Sequence, residues 1–274
     1  MSVSSDVAAA CELSEARAWR DCVEGCALVA SNQLSAEVAW VSDTPIPIVA
    51  ALDFGLFNRV IGLGVGAAAT DDDIETIAEA YGGRSQLNWT VCVSPVSTPP
   101  DLGERLLAHG LRRGTDFAKV IRPTNSPPEI STELRIEQVG AEWLDAFVGV
   151  NLAAWDVPGA FSPWFAGTVG RPGWNHYIGF DGDEPVTTGA LHVSDGIGWL
   201  GFGATLPNHR NRGGQGAVMS RRIHDAGALG CTIVHTETGA ETPDSPNPSY
   251  RNMIRTGFEF AYLRPNYVSS PASK

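Results

Sequence analysis

The sequence predicts an α/β protein built from two lobes. Its 274 residues exceed the ~100 to 150 residues of a typical single domain. Predicted helices alternate with predicted strands along the whole chain, which is typical of the α/β class. Proline and small polar residues are concentrated at 122–132, between two patterned regions, as in a linker. We therefore place the two lobes at residues 1–126 and 132–274.

The first lobe alternates between the two kinds of element. Its predicted helices and strands lie, in chain order, at 14–34, 46–51, 59–65, 71–81, 89–93, 102–112 and 117–121. The segment from Gly62 to Ala67 matches a Gly-x-Gly-x-x-Ala dinucleotide pattern after a strand. However, the next helix opens with three aspartates at 71–73, which would repel a pyrophosphate. We favour the interpretation that these glycines permit close packing.

The second lobe shows the same alternation. A helix is predicted at 215–229 because Met219, Ile223 and Ala226 share one face at i, i+4 and i+7. The other predicted helices and strands of this lobe lie, in chain order, at 134–139, 141–155, 176–181, 185–193, 197–205, 231–238, 249–255 and 258–263.

The two lobes end alike. Leu107-Ala-His-Gly-Leu111 and Lys119-Val-Ile-Arg-Pro123 in the first correspond to Ile254-Arg-Thr-Gly-Phe258 and Ala261-Tyr-Leu-Arg-Pro265 in the second. This correspondence predicts an internal duplication. A chance similarity between short segments is the alternative.

Composition excludes several classes of partner. The excess of 31 acidic over 19 basic side chains gives a formal charge of −12, which repels nucleic acid and suits a cationic amine. No run of ~18 apolar residues or basic leader occurs, so we expect no membrane partner and no signal peptide. The five cysteines contain no Cys-x-x-Cys pair, which predicts reduced thiols and a cytoplasmic location. The six histidines lack metal-ligand spacing, and no metal site is expected.

A glycine-rich turn follows the strand predicted at 197–205. It reads Leu206-Pro-Asn-His-Arg210-Asn-Arg212-Gly213-Gly214-Gln215-Gly216-Ala217 and leads into a helix. Small residues let backbone N–H groups approach a ligand, and the helix N-terminus adds a partial positive charge. The two arginines add full charges. The turn is therefore suited to a pyrophosphate, with an ordinary glycine- and arginine-rich loop as the alternative.

This order of strand, Arg-x-x-Gly turn, helix, strand and terminal Gly-Phe resembles the GNAT superfamily of acyl-CoA-dependent N-acyltransferases. The family pattern Gln/Arg-x-x-Gly-x-Gly/Ala matches at Arg210 and Gly213, whereas Gln215 stands where Gly or Ala is expected and Gly216 follows it. The resemblance covers residues 134–268. It implies two tandem GNAT-like lobes, each a mixed, mostly antiparallel sheet flanked by helices, with the first lobe a degenerate copy.

The resemblance also implies a site for acetyl-CoA or another form of coenzyme A. Ala204, Thr205 and Leu206 would belong to the strand whose edge binds the pantetheine arm, and Asn252 would contact the cofactor from the last helix. The residues around the phosphates would be Arg210, Arg212, Gly213, Gly214, Gln215, Gly216 and Ala217.

Acyl transfer to an amine requires a neutral nucleophile, and hence a base or a chain of water molecules, stabilisation of a developing oxyanion and a proton for the leaving thiolate. In GNAT enzymes the proton often comes from a tyrosine four residues before the Gly of Gly-Phe, and that position is Met253 here. Tyr250, one helical turn earlier, is the candidate acid, with water as the alternative. The expected N-cap of its helix is Ser249.

Three side chains are candidates for the base. They are His192 on a strand, Asp195 at its end and Glu237 on the strand predicted to flank the cofactor. A lone strand histidine or a carboxylate at a strand end is equally a structural residue. The acid and the base therefore stay open at this point.

Aromatic residues are concentrated where the resemblance places the cover of the acceptor site. They are Trp155, Phe161, Trp164, Phe165, Trp174 and Tyr177. They form either an aromatic wall for an apolar or cationic substrate, or simple loop packing against the sheet.

We expect the second lobe to bind acetyl-CoA and transfer the acetyl group to a small-molecule amine by direct attack. The first lobe would shape the acceptor site or an interface, and a homodimer is one arrangement that the sequence leaves open. The alternative is a module that holds acyl-CoA without turnover, as a sensor, because Met253 cannot donate a proton.

Overall fold

The computed structural model of the chain describes residues 3–29, 32–53, 55–82 and 87–269. Its helices are α1 (Ser5–Leu28), α2 (Asp71–Gly82), α3 (Leu102–Ala108), α4 (Leu144–Trp155), α5 (Ser162–Ala166), α6 (Gly214–Ala228) and α7 (Pro248–Arg255). Its strands are β1 (Ala36–Val41), β2 (Thr44–Val49), β3 (Arg59–Ile61), β4 (Thr90–Cys92), β5 (Arg112–Arg113), β6 (Phe117–Pro123), β7 (Arg135–Val139), β8 (Trp174–Asp181), β9 (Glu184–Ser194), β10 (Ile197–Thr205), β11 (Ile233–Gly239), β12 (Glu259–Arg264) and β13 (Asn266–Val268).

Most predicted elements occur within a few residues of their predicted bounds, and β10 has the predicted bounds. The largest difference is α1, predicted at 14–34 but formed by Ser5–Leu28. It starts early because the Ser4 side chain accepts a hydrogen bond from the backbone N–H of Val7 at 3.3 Å and caps the helix. Residues 30 and 31 of that prediction lie outside the described residues. Strands β1, β5 and β13 and helix α5 were not predicted.

The larger sheet has the strand order β12-β6-β11-β10-β9-β8-β7. Strands β10 and β11 are parallel, and every other neighbouring pair in it is antiparallel. Helix α6 packs on one face over a core that includes Leu191, Val218 and Ile223. The opposite face packs against α1, α4 and α5. The amphipathic stripe predicted for α6 is confirmed, since Met219, Ile223 and Ala226 are all buried.

The two lobes exchange their last strands. Strand β6, from the first half of the chain, lies between β11 and β12 in the larger sheet. Strand β13, from the end of the chain, lies between β4 and β5 in the sheet β3-β4-β13-β5. The sheets therefore cross the boundary predicted at 126–132. Local periodicity identifies a strand but not its partner, so the exchange is invisible in the sequence.

The exchange also explains the repeated chain ends. Helix α3, strand β5 and the exchanged strand β6 follow the same order as helix α7, strand β12 and the exchanged strand β13. The helix ends around Gly110 and Gly257 thus correspond, as the sequence indicates. The other half of the correspondence is displaced by one strand, because 119–123 lies in β6 whereas 261–265 ends β12.

Helix α1 lies between the lobes. It contacts β1, β2 and β3 of the first lobe and β9, β10 and α5 of the second. The approach to α5 is close, since a side chain at Gly25 would collide with the backbone of Gly167. The thiol of Cys26 donates to the carbonyl oxygen of Pro163 at 3.3 Å. This helix therefore connects the two cores.

The glycines after β3 have a packing role. Gly62 and Gly64 have φ angles of +91° and +77°. A side chain at Gly64 would collide with the backbone of Thr98, and Thr98 donates its backbone N–H to the carbonyl oxygen of Gly64 at 2.7 Å. These contacts agree with close packing and give the dinucleotide pattern no support.

A buried charge network joins the lobes through Glu15 of α1. Its carboxylate forms ion pairs with Arg59 of β3 at 2.7 Å, with Lys119 of β6, and with Arg264 of β12 at 2.9 Å. All four side chains are at most 3% exposed. Burial alone would raise the pKa of Glu15, but Arg264, Lys119 and Arg59 hold it well below its usual value. The pairs therefore stay ionised at neutral pH.

In the described part of the chain, no helix is both long and apolar enough to cross a membrane.

Residues 132–274 expressed alone should not reach the stability of the full chain. Without β6 a gap separates β11 from β12, and Glu237 of β11 loses the neighbouring strand with which it pairs. Urea unfolding followed by circular dichroism should show a lower midpoint, and co-production with residues 1–126 should restore it. A fragment that unfolds at the midpoint of the full chain would contradict this view of the exchanged strand.

Candidate functional site

Strands β10 and β11 separate after a short parallel contact. Their register covers only Ile197–Trp199 against Ile233–His235. Beyond it, β10 continues to Thr205 beside β9, and β11 continues to Gly239 beside β6. The facing edges therefore diverge and leave a cleft in the middle of the sheet. An open strand edge offers backbone N–H and C=O groups to an extended ligand.

A bulge in β10 marks the start of the cleft. The register against β9 shifts between Gly201 and Ala204, so that Phe202 and Gly203 have no partner residue on β9. Phe202 is buried with φ at +51°, in the left-handed region that a bulky residue rarely adopts. Such strained positions are concentrated at functional sites.

Arg222 of α6 supports this bulge from below. Its Nη1 donates to the carbonyl oxygens of Ala190 and Gly201, each at 3.0 Å, and its Nε donates to that of Val218 at 3.3 Å. The residue is 3% exposed. Among the described residues, it forms no ion pair with a carboxylate. Burial lowers the pKa of the guanidinium to about 10, which still leaves it charged at neutral pH.

Two connected cavities occupy the cleft. The first has a volume of about 800 Å³ and surrounds the glycine-rich turn. We call it the turn cavity, and it is lined by Ala204, Thr205, Arg210, Gly214, Gln215 and Asn252 among others. The second has a volume of about 300 Å³. We call it the aromatic cavity, and it is lined by Trp19, Phe57, Phe117, Trp155, Trp164 and Trp199 among others. Trp155, Gly203, Gln215 and Ser249 line both cavities.

The N-terminus of α6 faces the turn cavity. Gly213 is the N-cap residue with φ at +80°, which glycine adopts without strain. Gly214, Gln215 and Gly216 form the first turn, where backbone N–H groups have no partner within the helix. All four residues line the cavity. The N–H of Ala217 already donates to the carbonyl oxygen of Gly213 at 2.9 Å. The arrangement is a helix N-terminus open to an anion.

The two arginines of the turn differ in their partners. Arg210 lines the turn cavity, and its acceptors among the described residues are the backbone carbonyls of Thr205 at 3.3 Å and of Ala154 at 3.4 Å. Arg212 does not line either cavity. Its guanidinium forms two hydrogen bonds to Asp181, and Glu133 lies 3.8 Å away. The structure therefore leaves Arg210 to meet an anion and holds Arg212 on the hairpin of β8 and β9.

Helix α7 forms the opposite wall of the turn cavity. Asn252 donates to the side-chain oxygen of Gln215 and accepts from Arg255. Asn252 and Arg255 line the turn cavity, and the described residues offer Arg255 no ion-pair partner. Arg255 is therefore a second cation at the site. Leu206 does not line either cavity. Its N–H donates to the carbonyl oxygen of Val186 at 2.9 Å, at the point where the chain leaves β10.

Glu237 lines the aromatic cavity and belongs to the interlobe charge network. It forms ion pairs with Arg59, which also lines the cavity, and with Arg264. Its side chain is 9% exposed. Burial raises the pKa of this carboxyl above its ordinary value, against the opposing effect of Arg264 and Arg59. Of the three proposed bases, only Glu237 lies in the cleft.

The other two proposed bases lie elsewhere. His192 is buried on β9, where its Nε2 lies 3.4 Å from Asp21 and its ring lies 4.8 Å from that of Trp174. Asp195 forms a surface ion pair with Arg17 at 2.5 Å. Neither residue lines the turn cavity or the aromatic cavity. Their contacts are those of structural side chains.

Helix α7 presents other residues to the cleft than those expected. It begins at Pro248, and its N-cap is Asn247, not Ser249, since the Asn247 side chain accepts from the N–H groups of Ser249 and Tyr250. This places Ser249 and Met253 on the face that lines the aromatic cavity. Tyr250 packs beside the core under α6 and lines neither cavity.

The aromatic segment divides between the two interpretations. Trp155 and Trp164 line the aromatic cavity, and Phe161 packs on Phe57 with ring centroids 5.3 Å apart. The remaining three, Phe165, Trp174 and Tyr177, pack in the cores. Only Trp155 and Trp164 of this segment therefore line the aromatic cavity. The first lobe supplies the rings on the other side, Trp19, Phe57 and Phe117.

Sequence reasoning missed several side chains of the cleft. They are Trp19, Phe57, Arg59, Phe117, Arg222, Ser249 and Arg255. Only Arg222 carried a local signal, since it interrupts the apolar stripe of its helix next to Ile223. The members from the first lobe reach the cleft through the interlobe packing, which no local pattern records.

Several solved structures that share this fold are described as GNAT proteins. A GCN5-related N-acetyltransferase from Kribbella flavida matches with a TM-score of 0.63 at 17% identity, over 98% of this chain and 96% of that chain. Another from Sphaerobacter thermophilus matches with a TM-score of 0.61 at 16% identity, over 93% of this chain and 91% of that chain. A tandem GNAT protein from the clavulanic acid biosynthesis pathway matches with a TM-score of 0.53 at 11% identity, over 79% and 75%.

At these identities the likeness shows the fold. The chain has the fold of GNAT N-acetyltransferases, in the two-lobed form that also occurs in a tandem GNAT protein. The predicted fold class and resemblance are confirmed. No protein-family model matches the sequence, and no curated protein matches it.

Exchange of Arg210 for alanine should weaken coenzyme A binding by about 10- to 100-fold, since a charge-assisted hydrogen bond contributes ~1.5 to 3 kcal/mol. Isothermal titration calorimetry with coenzyme A measures this loss. Arg212→Ala is the matched control, because its guanidinium is held by Asp181 and should leave the affinity nearly unchanged. The reverse ranking of the two variants would contradict the assignment of Arg210 to the site.

Proposed function

We propose that this protein is an acyl-CoA-dependent N-acyltransferase that transfers an acetyl group from acetyl-CoA to a small-molecule amine by direct attack. The observation that carries the proposal is the junction of the two cavities at the bulge of β10. One cavity has the groups that bind phosphates, and the other contains a carboxylate and a shaped apolar surface. The GNAT fold of the solved neighbours supports the same class of reaction.

The residues of the turn cavity fit coenzyme A. The N–H groups at 214–216, which have no partner within the helix, and the cations of Arg210 and Arg255 suit the phosphates. The diverging edge of β10, which includes Ala204 and Thr205, suits the amide groups of a pantetheine arm. When bound, acetyl-CoA supplies an activated acyl group as a thioester, which would lie near Gly203, where the cavities meet.

Glu237 is the proposed general base. A carboxyl with a raised pKa accepts a proton more readily at neutral pH than an ordinary one. Its ion pairs with Arg59 and Arg264 fix its position at the wall of the aromatic cavity. In this role it removes a proton from the attacking amine, directly or through one water molecule.

Arg222 is proposed to stabilise the negative charge that develops on the thioester oxygen. A Cβ on Gly203 would lie 3.9 Å from the Nη2 atom of Arg222, so the buried charge lies beneath the junction. Its other nitrogens hold the bulge in shape. A fixed cation in a site of low dielectric stabilises such charge far better than one in water.

The proton for the leaving thiolate comes from Ser249 or from water rather than from Tyr250. The Ser249 hydroxyl lies at the junction and accepts from Gln215 at 3.4 Å. Tyr250 does not line the cleft. A hydroxyl there also relays protons from solvent.

We further propose a cytoplasmic location, supported by five buried, unpaired cysteine thiols.

Glu237→Gln should lower kcat by about 100-fold or more, the scale of general base catalysis, while coenzyme A affinity stays nearly unchanged. The base acts when ionised, and burial raises its pKa above the ordinary value of a glutamate carboxyl. Wild-type activity should therefore fall as the pH drops through that raised pKa, and the variant should lose this acidic limb. Initial rates between pH 5 and pH 9 measure both effects.

Glu259→Gln is the control for Glu237, because Glu259 is exposed on β12 and its variant makes the same change of charge. It should keep the wild-type rate and pH profile. A Glu237 variant that is folded and fully active would remove the base from the mechanism. A wild type that binds acetyl-CoA and acetylates no amine would instead favour the acyl-CoA sensor.

Arg222→Met should reduce kcat by about 100- to 1,000-fold, the cost of removing one oxyanion stabiliser, with little change in coenzyme A affinity. Methionine fills a similar volume without the charge. Arg221→Met is the control, since Arg221 pairs with Asp225 and its side chain is 41% exposed. Initial rates and calorimetry separate the effects, and an equal loss of kcat in both variants would contradict the role of Arg222.

A further inference from the structure

We infer that the acceptor is a primary monoamine with a flat aromatic body, bound in the aromatic cavity. The inference rests on the proposed function and names the class of acceptor for the same site. Three properties of the cavity carry it. They are the rings in its walls, the balance of its charges and its size.

Rings from both lobes face the cavity. The first lobe supplies Trp19 of α1, Phe57 and Phe117 of β6, and the second supplies Trp155 and Trp164. Together with Leu56, Met219 and Met253 they make the surface mainly apolar. A flat ring gains both buried area and edge-to-face or offset contacts against such walls.

The walls are fixed before any ligand binds. Trp164 packs against Trp19 with ring centroids 5.1 Å apart and against Phe57 at 4.8 Å, nearly edge-on at 79°. Trp164 and Phe57 are 1% and 2% exposed. The guanidinium carbon of Arg59 lies 4.1 Å from the centroid of the Trp19 ring, and this cation–π contact keeps the ring in place. A preformed apolar slot selects a rigid ring over a flexible chain, because a flexible chain loses more entropy on binding.

The charges of the cavity exclude polycations. Among the described residues, Glu237 is the one carboxylate in its lining, and Arg59 and Arg264 already neutralise it. Arg222 adds a positive charge without a carboxylate partner in the described residues. A second ammonium group would find no counter-ion, and burial of an unpaired charge is costly. The same positive surroundings favour the neutral form of a single amine, which is the form that attacks.

The size of the cavity sets the upper limit of the acceptor. About 300 Å³ lies at the small end of ligand pockets, which span ~300 to 1,000 Å³. One ring with a short alkylamine chain suits this space. A sugar-based polyamine has both too much volume and too many charges for it.

Initial rates with a panel of amines test the inference. The panel contains 2-phenylethylamine, tryptamine, hexylamine, spermidine and Nα-acetyl-lysine amide, and the thiol of released coenzyme A is measured. We expect kcat/KM for 2-phenylethylamine to exceed that for hexylamine by about tenfold. Spermidine and the lysine derivative should be poorer still. A preference for spermidine or for the lysine derivative would overturn the acceptor class while leaving the proposed function intact.

A matched pair of variants separates recognition of the ring from a loss of structure. Phe117→Leu removes a ring from the cavity, and Phe260→Leu removes an exposed ring on the neighbouring strand β12. Phe117→Leu should raise KM for 2-phenylethylamine by about fivefold and leave that for hexylamine nearly unchanged. Phe260→Leu should change neither. An equal rise in KM for both amines in the Phe117 variant would overturn ring recognition.

Two further outcomes distinguish this inference from the proposed function. Calorimetry of 2-phenylethylamine with the coenzyme A complex measures binding without turnover. An amine that binds there but is never acetylated would refute the acyl transfer and retain the ligand class. A protein that prefers octanoyl-CoA to acetyl-CoA and does not discriminate among the amines would use the cavity for the acyl chain, and this would overturn the inference.

Discussion

Glu15 of α1 forms ion pairs with Arg59, Lys119 and Arg264, which come from three strands in two sheets. Because all four side chains are buried, removal of Glu15 would leave Lys119 without a carboxylate partner among the described residues, in a medium that solvates charge poorly. The network therefore specifies one arrangement of the lobes. Two of its cations, Arg59 and Arg264, also hold Glu237 at the wall of the cleft. The chemistry of the cleft thus depends on the contact between the lobes.

The exchange of β6 and β13 also holds the two lobes in one arrangement, through backbone hydrogen bonds. The seven-stranded and the four-stranded sheet each contain one strand from the other half of the chain, so the lobes cannot separate without breaking strand ladders. Phe117 enters the cleft on an exchanged strand, and Trp19 enters it on α1. The aromatic cavity is therefore a joint product of both lobes. In this way the first lobe, whose glycines after β3 serve close packing, takes part in the proposed reaction.

The charge of the cleft differs from the net charge of the chain, because it depends on which charged side chains line the cleft and which of them are paired. The chain carries a formal charge of −12, which can steer cationic molecules toward it. Inside, however, the cleft contains three cations that form no ion pair with a described carboxylate, Arg210, Arg222 and Arg255, and a carboxylate already matched by two guanidiniums. The outside thus attracts an amine, and the inside favours its neutral form and the anionic cofactor.

The sequence by itself determined the order of most helices and strands, though not β1, β5, β13 or α5, together with the bounds of β10 and the glycine-rich N-terminus of α6. These features follow from local hydrophobic spacing and from backbone groups close together in the chain. Tertiary structure alone decided that Arg210 lines the turn cavity whereas Arg212 pairs with Asp181, which lies about thirty residues away along the chain. It also decided the exchange of strands and the position of Glu237. Strand pairing and buried ion pairs join residues as far apart as Glu12 and Arg264, and local periodicity contains no information about such distant partners.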